Sequence, residues 1–452
     1  MSNPASHIKL QVDISYRQIL RMSLPIAASF VVPQINFITN NIFLGGLGEQ
    51  PLAVAGITGV YYLIFGVIGL GLNNGLQALI ARRAGENRVE EIGNLFNQGV
   101  RIGFLIALAG IIITYFIAPT VLNLSLHTES NVQMAVDFLF IRIWGLPVLY
   151  VYQMRNALLV GINQTRYLVI GTLAETIANI VLDYGLIYGH LGLPKMGFNG
   201  AAVASIIAEA TGLITIFAVM RSKGISKHLQ LFKRYAYDAV NTKLILVQSS
   251  PLILQHAISI CSWLFFYILI EHHGERDLAI SNTMRNIFGL LGCVTWSFAA
   301  TANAMVSNVI GQGLEHRVIE LIHKIIRLSV SFAVVVCLLL NLIPEIFLSI
   351  YQQGDDFIIH AIPVLRIVST ALILMSVSTV WLNAVVGTGN SKMNLFSESI
   401  SILFYCIYIY VVLEVMQLPI TVGWASEWLY WICLFIPSFW YLKSGRWKGR
   451  KI

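Results

Sequence analysis

The chain has 452 residues, of which 57% belong to the AVILMFWYC set before 35 glycines are added, and only 11% are charged. Soluble domains average roughly 45–50% apolar and about 25% charged residues. This composition therefore argues against a soluble enzyme, a secreted disulfide scaffold, a disordered chain and a nucleic-acid binder, and it points to helices embedded in a bilayer. The net charge of +7 points to an anionic partner only if it is concentrated on one surface.

Twelve apolar stretches follow in chain order, each long enough to cross a bilayer at about 1.5 Å per residue. They are spans 1 to 6 at 17–45, 52–81, 94–119, 133–158, 166–190 and 198–221, and spans 7 to 12 at 243–271, 277–310, 320–350, 359–386, 394–416 and 420–443. None alternates polar and apolar residues as barrel strands do. The start of the chain is polar and its first apolar run is too long for a secretory h-region, so no cleavable signal is expected. Cys261, Cys293, Cys337, Cys406 and Cys433 all sit inside apolar runs without a Cys-x-x-Cys pair. They read as small buried hydrophobes.

The loops set an orientation. With the N-terminus in the cytoplasm, 24 of the 29 Lys and Arg residues fall on the inner side, Arg155 among them, and only Lys195 and Arg276 fall outside. The positive-inside rule then places both termini in the cytoplasm of a multi-pass plasma (inner) membrane protein. The surplus charge is an orientation signal that requires no acidic partner. Arg142, Arg285 and Arg366 lie within spans, where Arg142 and Arg366 are expected to snorkel.

The chain repeats at an offset near 226 residues. Glu49-Gln-Pro-Leu52-Ala53 matches Glu275-Arg-Asp-Leu278-Ala279, and Ala84-Gly85-Glu86 falls on Ile310-Gly311-Gln312. Asn156-Ala157 with Gly161 and Arg166 matches Asn383-Ala384 with Gly387 and Lys392. Six spans per half give both halves the same orientation, a parallel repeat typical of transporters. The expected organisation is a six-helix bundle over 1–220, a basic cytoplasmic linker over 221–242 and a second bundle over 243–452.

Span 5 reads Asn179-Ile-Val-Leu-Asp183, and Gly197-Phe-Asn-Gly200-Ala201-Ala202-Val-Ala204-Ser205 opens span 6. Leu24-Pro25 lies in span 1, Gly46-Leu47-Gly48 follows it, and Pro251 with Leu254-Gln255 lies in span 7. In this combination the chain resembles the multidrug and toxic compound extrusion (MATE) family. The resemblance covers essentially the whole chain. It implies an all-α membrane fold of twelve helices in two parallel six-helix repeats. It also implies secondary antiport, with export of organic, cationic or amphipathic compounds driven by inward H⁺ or Na⁺. Ser205 stands where the family usually has Thr, Asn40 where it usually has Asp, and Ser259 where one branch has Glu.

Polar groups inside the spans mark candidate sites, because each is costly in lipid. Glu175, Asn179 and Asp183 recur every fourth residue and share an arc of roughly 80° with Thr172. Asn36 and Asn40 share a face of span 1, and Ser205 of span 6 can join them. This set is the expected cation or proton site, in which Asp183 exchanges a proton or, with the amide and hydroxyl oxygens, holds Na⁺. A structural alternative leaves Asp183 merely hydrogen-bonded between helices. Glu209, Glu398 and Glu414 are weaker acidic candidates.

The resemblance places Gln153 and Asn156 on the substrate path. Gln248, Gln255, Ser259 and Ser262 in span 7, and Ser369, Ser376 and Asn383 in span 10, suggest a wet second-half cavity without a carboxylate, or polar glue between helices. Gln255, Ser259 and Asn383 are taken as substrate-lining. His256 reads as a hydrogen-bonded core residue. Pro25 and Pro33 favour a kink in span 1, and the resemblance implies that this helix bends with the state of the site.

No resident cofactor or metal is expected, and the partners are a small molecule and the lipid bilayer around a monomer. No ATP-binding Gly-x-x-x-x-Gly-Lys-[Ser/Thr] motif occurs. Two rival readings are a lipid-linked sugar flippase of the same broad superfamily, hinted at by Arg285, and an intramembrane enzyme. His272-His273 beside Glu271 and Glu275 is a faint metal candidate.

Overall fold

The computed structural model describes residues 9–126, 128–351 and 353–450, and among these no β-strand occurs. Among the described residues, eleven helices are long and apolar enough to cross a membrane. We number them α1 (Tyr16–Gly45), α2 (Glu49–Gly85), α3 (Val89–Ser125), α4 (Glu129–Gly161), α5 (Arg166–Tyr188), α6 (Phe198–Ser222), α7 (Ala239–Glu271), α8 (Glu275–Gly311), α9 (Glu315–Leu342), α10 (Asp355–Gly387) and α11 (Ser391–Val415). The expected twelfth span forms a short helix, Ile420–Trp424, followed by α12 (Ser426–Lys443). Span 9 also ends earlier than expected. Pro344 disfavours helical backbone at Ile343, and a separate short helix, Pro344–Ser349, follows. Many large apolar side chains remain on the helix surfaces, among them Leu105, Phe116, Ile214, Leu264 and Leu403, as lipid-facing helices require.

The chain forms two compact units. The first holds Ala28–Ser249 with the segment ending at Gln11, and the second holds Val12–Ala27 with the chain from Ser250 onward. α1 is one continuous helix through Pro25 and Pro33, with Pro25 in the part that packs with the second unit and Pro33 in the part that packs with the first.

The sequence repeat is also a repeat of packing. In the first unit Gly161 of α4 lies so close to Ile80 of α2 that a Cβ would meet it at 2.7 Å. In the second unit Gly387 of α10 meets the Asn303 carbonyl of α8 at 2.7 Å and Val306 at 3.0 Å. Gly161 and Ile80 are each 226 residues from Gly387 and Val306. The same glycine therefore lets the fourth helix approach the second in both halves.

The linker is ordered. Ile225, Leu229 and Leu231 are buried, Asn97 and Gln98 of α3 donate to the Leu231 and Ala236 carbonyls at 2.9 Å, and Arg101 donates to the Tyr235 carbonyl. In the second unit the fully buried Trp424 sits edge-on to Phe266 at 5.3 Å and donates Nε1 to Ser281 at 3.0 Å. The cysteines depart from expectation, since Cys261 is exposed and Cys406 and Cys433 are half-buried. A helix facing lipid can hold apolar groups without burying them in protein.

Candidate functional site

The first site is built on the pairing of α5 with α6. Gly200, Ala204, Ala208 and Gly212 recur every fourth residue on α6, and all are buried. Such a small-residue stripe lets two backbones approach closely. A Cβ at Gly200 would meet the Leu186 carbonyl at 2.7 Å, and one at Gly212 the Gly171 carbonyl at 2.9 Å. α5 is thereby locked in register, with its polar face turned inward: Thr172, Thr176, Asn179 and Asp183 are all buried.

α1 meets the far end of α5 through Phe43, whose carbonyl accepts from the Tyr188 hydroxyl at 2.7 Å and whose ring packs on Tyr184 and Tyr188. Gly46 makes room for this contact, since a Cβ there would lie 2.3 Å from the Tyr188 hydroxyl. Asn40 and Asn36 precede Phe43 by about one and two turns on the same face.

Asp183 has no exposed surface. Neither of its oxygens has a hydrogen-bond partner, and the same holds for both side-chain polar atoms of Asn179 and for Oδ1 of Asn36 and Asn40. Among the described residues no charged group acts on Asp183. Asp183 is therefore not hydrogen-bonded between helices, and Ser205, half-buried on α6, does not bond to it. What remains is a buried carboxyl without a protein hydrogen-bond partner, and amide oxygens likewise unpaired on the same helix and on the neighbouring face of α1.

Glu175, two turns along α5, has different surroundings. Glu209, Arg155, Tyr152 and Arg142 act on it. Arg142 does not snorkel. It forms a buried ion pair with Glu209 of α6 and stacks over Tyr62 of α2, 4.0 Å from the ring centre. The local sequence explains this. α4 passes through a 3₁₀ turn at Ile143–Gly145 just after Arg142, where Pro147 cannot donate to the preceding turn. Gly145 leaves the space, because a Cβ there would lie 2.3 Å from the guanidinium.

Arg155 corrects its assignment to a loop. It has no exposed surface, stacks on Tyr152 at 4.1 Å and donates to Asn156 Oδ1 at 2.6 Å. Gln153 accepts from Asn73 of α2 at 3.0 Å. Gln153 and Asn156 are thus held within the first unit's own network.

The polar cluster of the second unit, expected to lack a carboxylate, is built around Glu398, a weaker acidic candidate from sequence. Glu398 of α11 is 1% exposed. Ser259 of α7 donates to its Oε1 at 2.6 Å, Tyr430 of α12 donates to the same oxygen, and Gln255 donates to Oε2 at 3.2 Å. Asn394, one turn before Glu398, donates to Gln255 Oε1 at 2.6 Å. Gln255 and Ser259, taken from sequence as substrate-lining, both point at this acid. Tyr430 and Asn394 were not singled out. Only the four-residue spacing of Asn394 and Glu398 on α11 hinted at a shared polar face.

The remaining polar positions serve their own helices or neighbours. Asn383 donates to the Thr379 carbonyl at 3.0 Å and Ser376 to the Ile373 carbonyl at 2.7 Å. Ser369 bridges Asn341 and the Arg366 carbonyl, each at 2.8 Å. Arg366 and Arg285 are exposed, and Arg285 lies over Tyr267 at 5.3 Å. His272 pairs with Glu414 at 2.9 Å, and His273 meets the Leu413 carbonyl at 3.0 Å. These contacts tie the end of α7 to the end of α11. Among the described residues no group of His, Cys, Asp and Glu is placed to hold a metal ion.

The MatE family profile matches residues 25–185 and 251–411, two segments offset by the same 226 residues as the repeat. A probable multidrug resistance protein NorM of Thermotoga maritima is 23% identical over 98% of this chain and 96% of its own. A Synechocystis protein of the same description is 26% identical over 205 residues, which is 45% of this chain and 44% of that one. A solved outward-facing multidrug resistance MATE family transporter of the MOP superfamily superposes with a TM-score of 0.86 at 17% identity, covering 96% of both chains.

Proposed function

The chain belongs to the MATE family, and from that premise we propose that it is a secondary antiporter that exports organic, cationic or amphipathic compounds. On this reading it works in the plasma (inner) membrane with both termini in the cytoplasm. The two six-helix units alternate access to the substrate path, driven by inward H⁺ or, with the amide oxygens as further ligands, Na⁺. The names of its relatives support a role in compound efflux.

The observation that carries the coupling assignment is Asp183, fully buried with neither oxygen partnered. An ionised carboxylate held out of water without a partner costs several kcal/mol. The group therefore needs a proton, a metal ion or a cationic substrate to balance it. Those occupants exclude one another at a single carboxyl. A proton bound there weakens the hold on a cation, and by linkage a bound cation weakens the hold on the proton. Alternating access turns that competition into exchange. We favour H⁺, because one acid with amide neighbours becomes neutral by protonation alone.

The test compares gradient-driven export of a fluorescent cation by proteoliposomes carrying the wild type or Asp183→Asn. The variant should fall to the leak rate while keeping its fold. Undiminished export under an imposed pH or Na⁺ gradient overturns the assignment. Asn40→Asp adds a second carboxyl to the α1 face and should change the pH or Na⁺ dependence; an unchanged profile places α1 outside the ion site.

A further inference from the structure

The acid of the second unit is unexplained by the coupling role given to Asp183. Glu398 lies 139 residues from Ser259 in sequence, yet the two are in direct hydrogen-bond contact. Three helices converge on this one carboxyl: α7 with Ser259 and Gln255, α11 with Glu398 itself, and α12 with Tyr430. Among the described residues no arginine, lysine or histidine acts on its charge. His256 on α7 and Glu427 on α12, the other titratable side chains nearest in sequence to its partners, do not act on it either. Glu427 is engaged by Trp431 Nε1 at 3.0 Å, and α10 contributes no charged partner. Asn394 leaves its own buried Oδ1 without a donor. The cluster carries a charge without a counter-charge, and one proton on Glu398 relieves it.

The hydrogen bonds show where that proton fits. Gln255 gives an amide hydrogen to Oε2, and an amide nitrogen can only donate, so Oε2 stays an acceptor in either state. Oε1 instead faces two hydroxyls, and a hydroxyl both donates and accepts. When water delivers a proton, Oε1 forms an O–H that donates to Ser259 or Tyr430. The hydroxyl that receives it rotates its own hydrogen away. No heavy atom need move and no hydrogen bond to Glu398 is lost.

We infer that Glu398 is a second proton-exchange site, belonging to the second unit and separate from Asp183. The two acids stand on corresponding helices of the repeat, α5 and α11. Position 183 corresponds to 409 at the 226-residue offset, so Glu398 sits about three turns away in register. At that offset Glu398 itself falls on Thr172, less than one turn from Glu175 of α5. The inference does not depend on the coupling role given to Asp183.

The test is infrared difference spectroscopy of the purified full chain in lipid nanodiscs, titrated in pH at constant ionic strength. A protonated-carboxyl band should appear on acidification, disappear in Glu398→Gln and persist in Asp183→Asn. Tyr430→Phe and Ser259→Ala, which retain the acid, should shift the frequency of that band, because each removes one of its hydrogen bonds. A titrating carboxyl signal unchanged in Glu398→Gln overturns the inference. So does loss of the band at fixed pH when Na⁺ replaces a larger cation, which would make the site a metal-ion site. Loss of the band in Asp183→Asn but not in Glu398→Gln would assign the signal to the first unit and likewise overturn it.

Discussion

The Arg142–Glu209 pair allows a stability prediction that can be worked from the structure. The two side chains are 11% and 13% exposed, so little solvent screens them, and Arg142 keeps the Tyr62 ring and the more distant Glu175 but no direct ion pair when Glu209 is neutralised. Removing one partner of a buried pair leaves an uncompensated charge, at a cost of about 3–5 kcal/mol. The remaining cation–π contact is worth up to about 2 kcal/mol where desolvated, but it is present in both proteins and does not offset the loss. For a unit of this size each kcal/mol moves the midpoint by about 2–4 °C, so Glu209→Gln should lower it by about 6–20 °C. The assay is heat-induced loss of the monodisperse peak in size-exclusion chromatography at one fixed heating time, because such unfolding is a rate measurement. Arg142→Met combined with Glu209→Leu removes both charges and should recover most of the loss. A Glu209→Gln midpoint within 2 °C of wild type, at a resolution finer than the smallest expected shift, would refute the reasoning. So would a double variant less stable than the single one.

Two further outcomes follow from the first unit. A Cβ at Gly212 would lie 2.8 Å from Glu175 Cβ and 2.9 Å from a backbone carbonyl, so Gly212→Ala should cost about 1–3 kcal/mol. Gly171→Ala should cost less, because its nearest obstacle is the Arg155 guanidinium at 2.5 Å, which can rotate; equal midpoints in the same heating assay would count against the close packing of α5 and α6. Asp238 caps α7 by accepting from the Val240 and Asn241 amides at 3.0 and 3.1 Å, and it accepts from Asn94 of α3 at 2.8 Å. Loss of such a cap costs about 1 kcal/mol, so Asp238→Ala should speed hydrogen exchange at these amides about fivefold; an unchanged rate would remove the cap from the account. The Asn241 amide, with help from Asn94, holds the Asp238 carboxyl below its usual range. Its contribution is therefore complete above the unfolded value near pH 3.9 and is lost as pH falls through the lower folded value. Protection that stays flat on acidification through that window contradicts this.

Local information settled a large part of this protein. The apolar runs placed the helices, though not the early end of span 9 at Leu342 or the break in span 12 before Ser426, because a bilayer-spanning segment must satisfy its backbone internally and keep apolar side chains outward. The repeat was legible because Gly161 and Gly387 perform the same packing task in each half. Asp183 was legible because an acid on a polar helix face is rare among so few charges. Sequence could not pair Arg142 with Glu209 or Glu398 with Ser259, residues separated by 67 and 139 positions. Hydrophobic periodicity says which face of a helix turns inward, but the partner across the interface depends on helix crossing and register. Those are set by the glycine contacts between α5 and α6 and by the break at Ile143–Gly145. The tertiary structure therefore moved Arg142 and Arg155 from expected snorkel and loop positions to buried ones, and brought Glu398 onto Gln255 and Ser259. Sequence fixes how much charge must be hidden from lipid; only packing decides what each hidden charge meets.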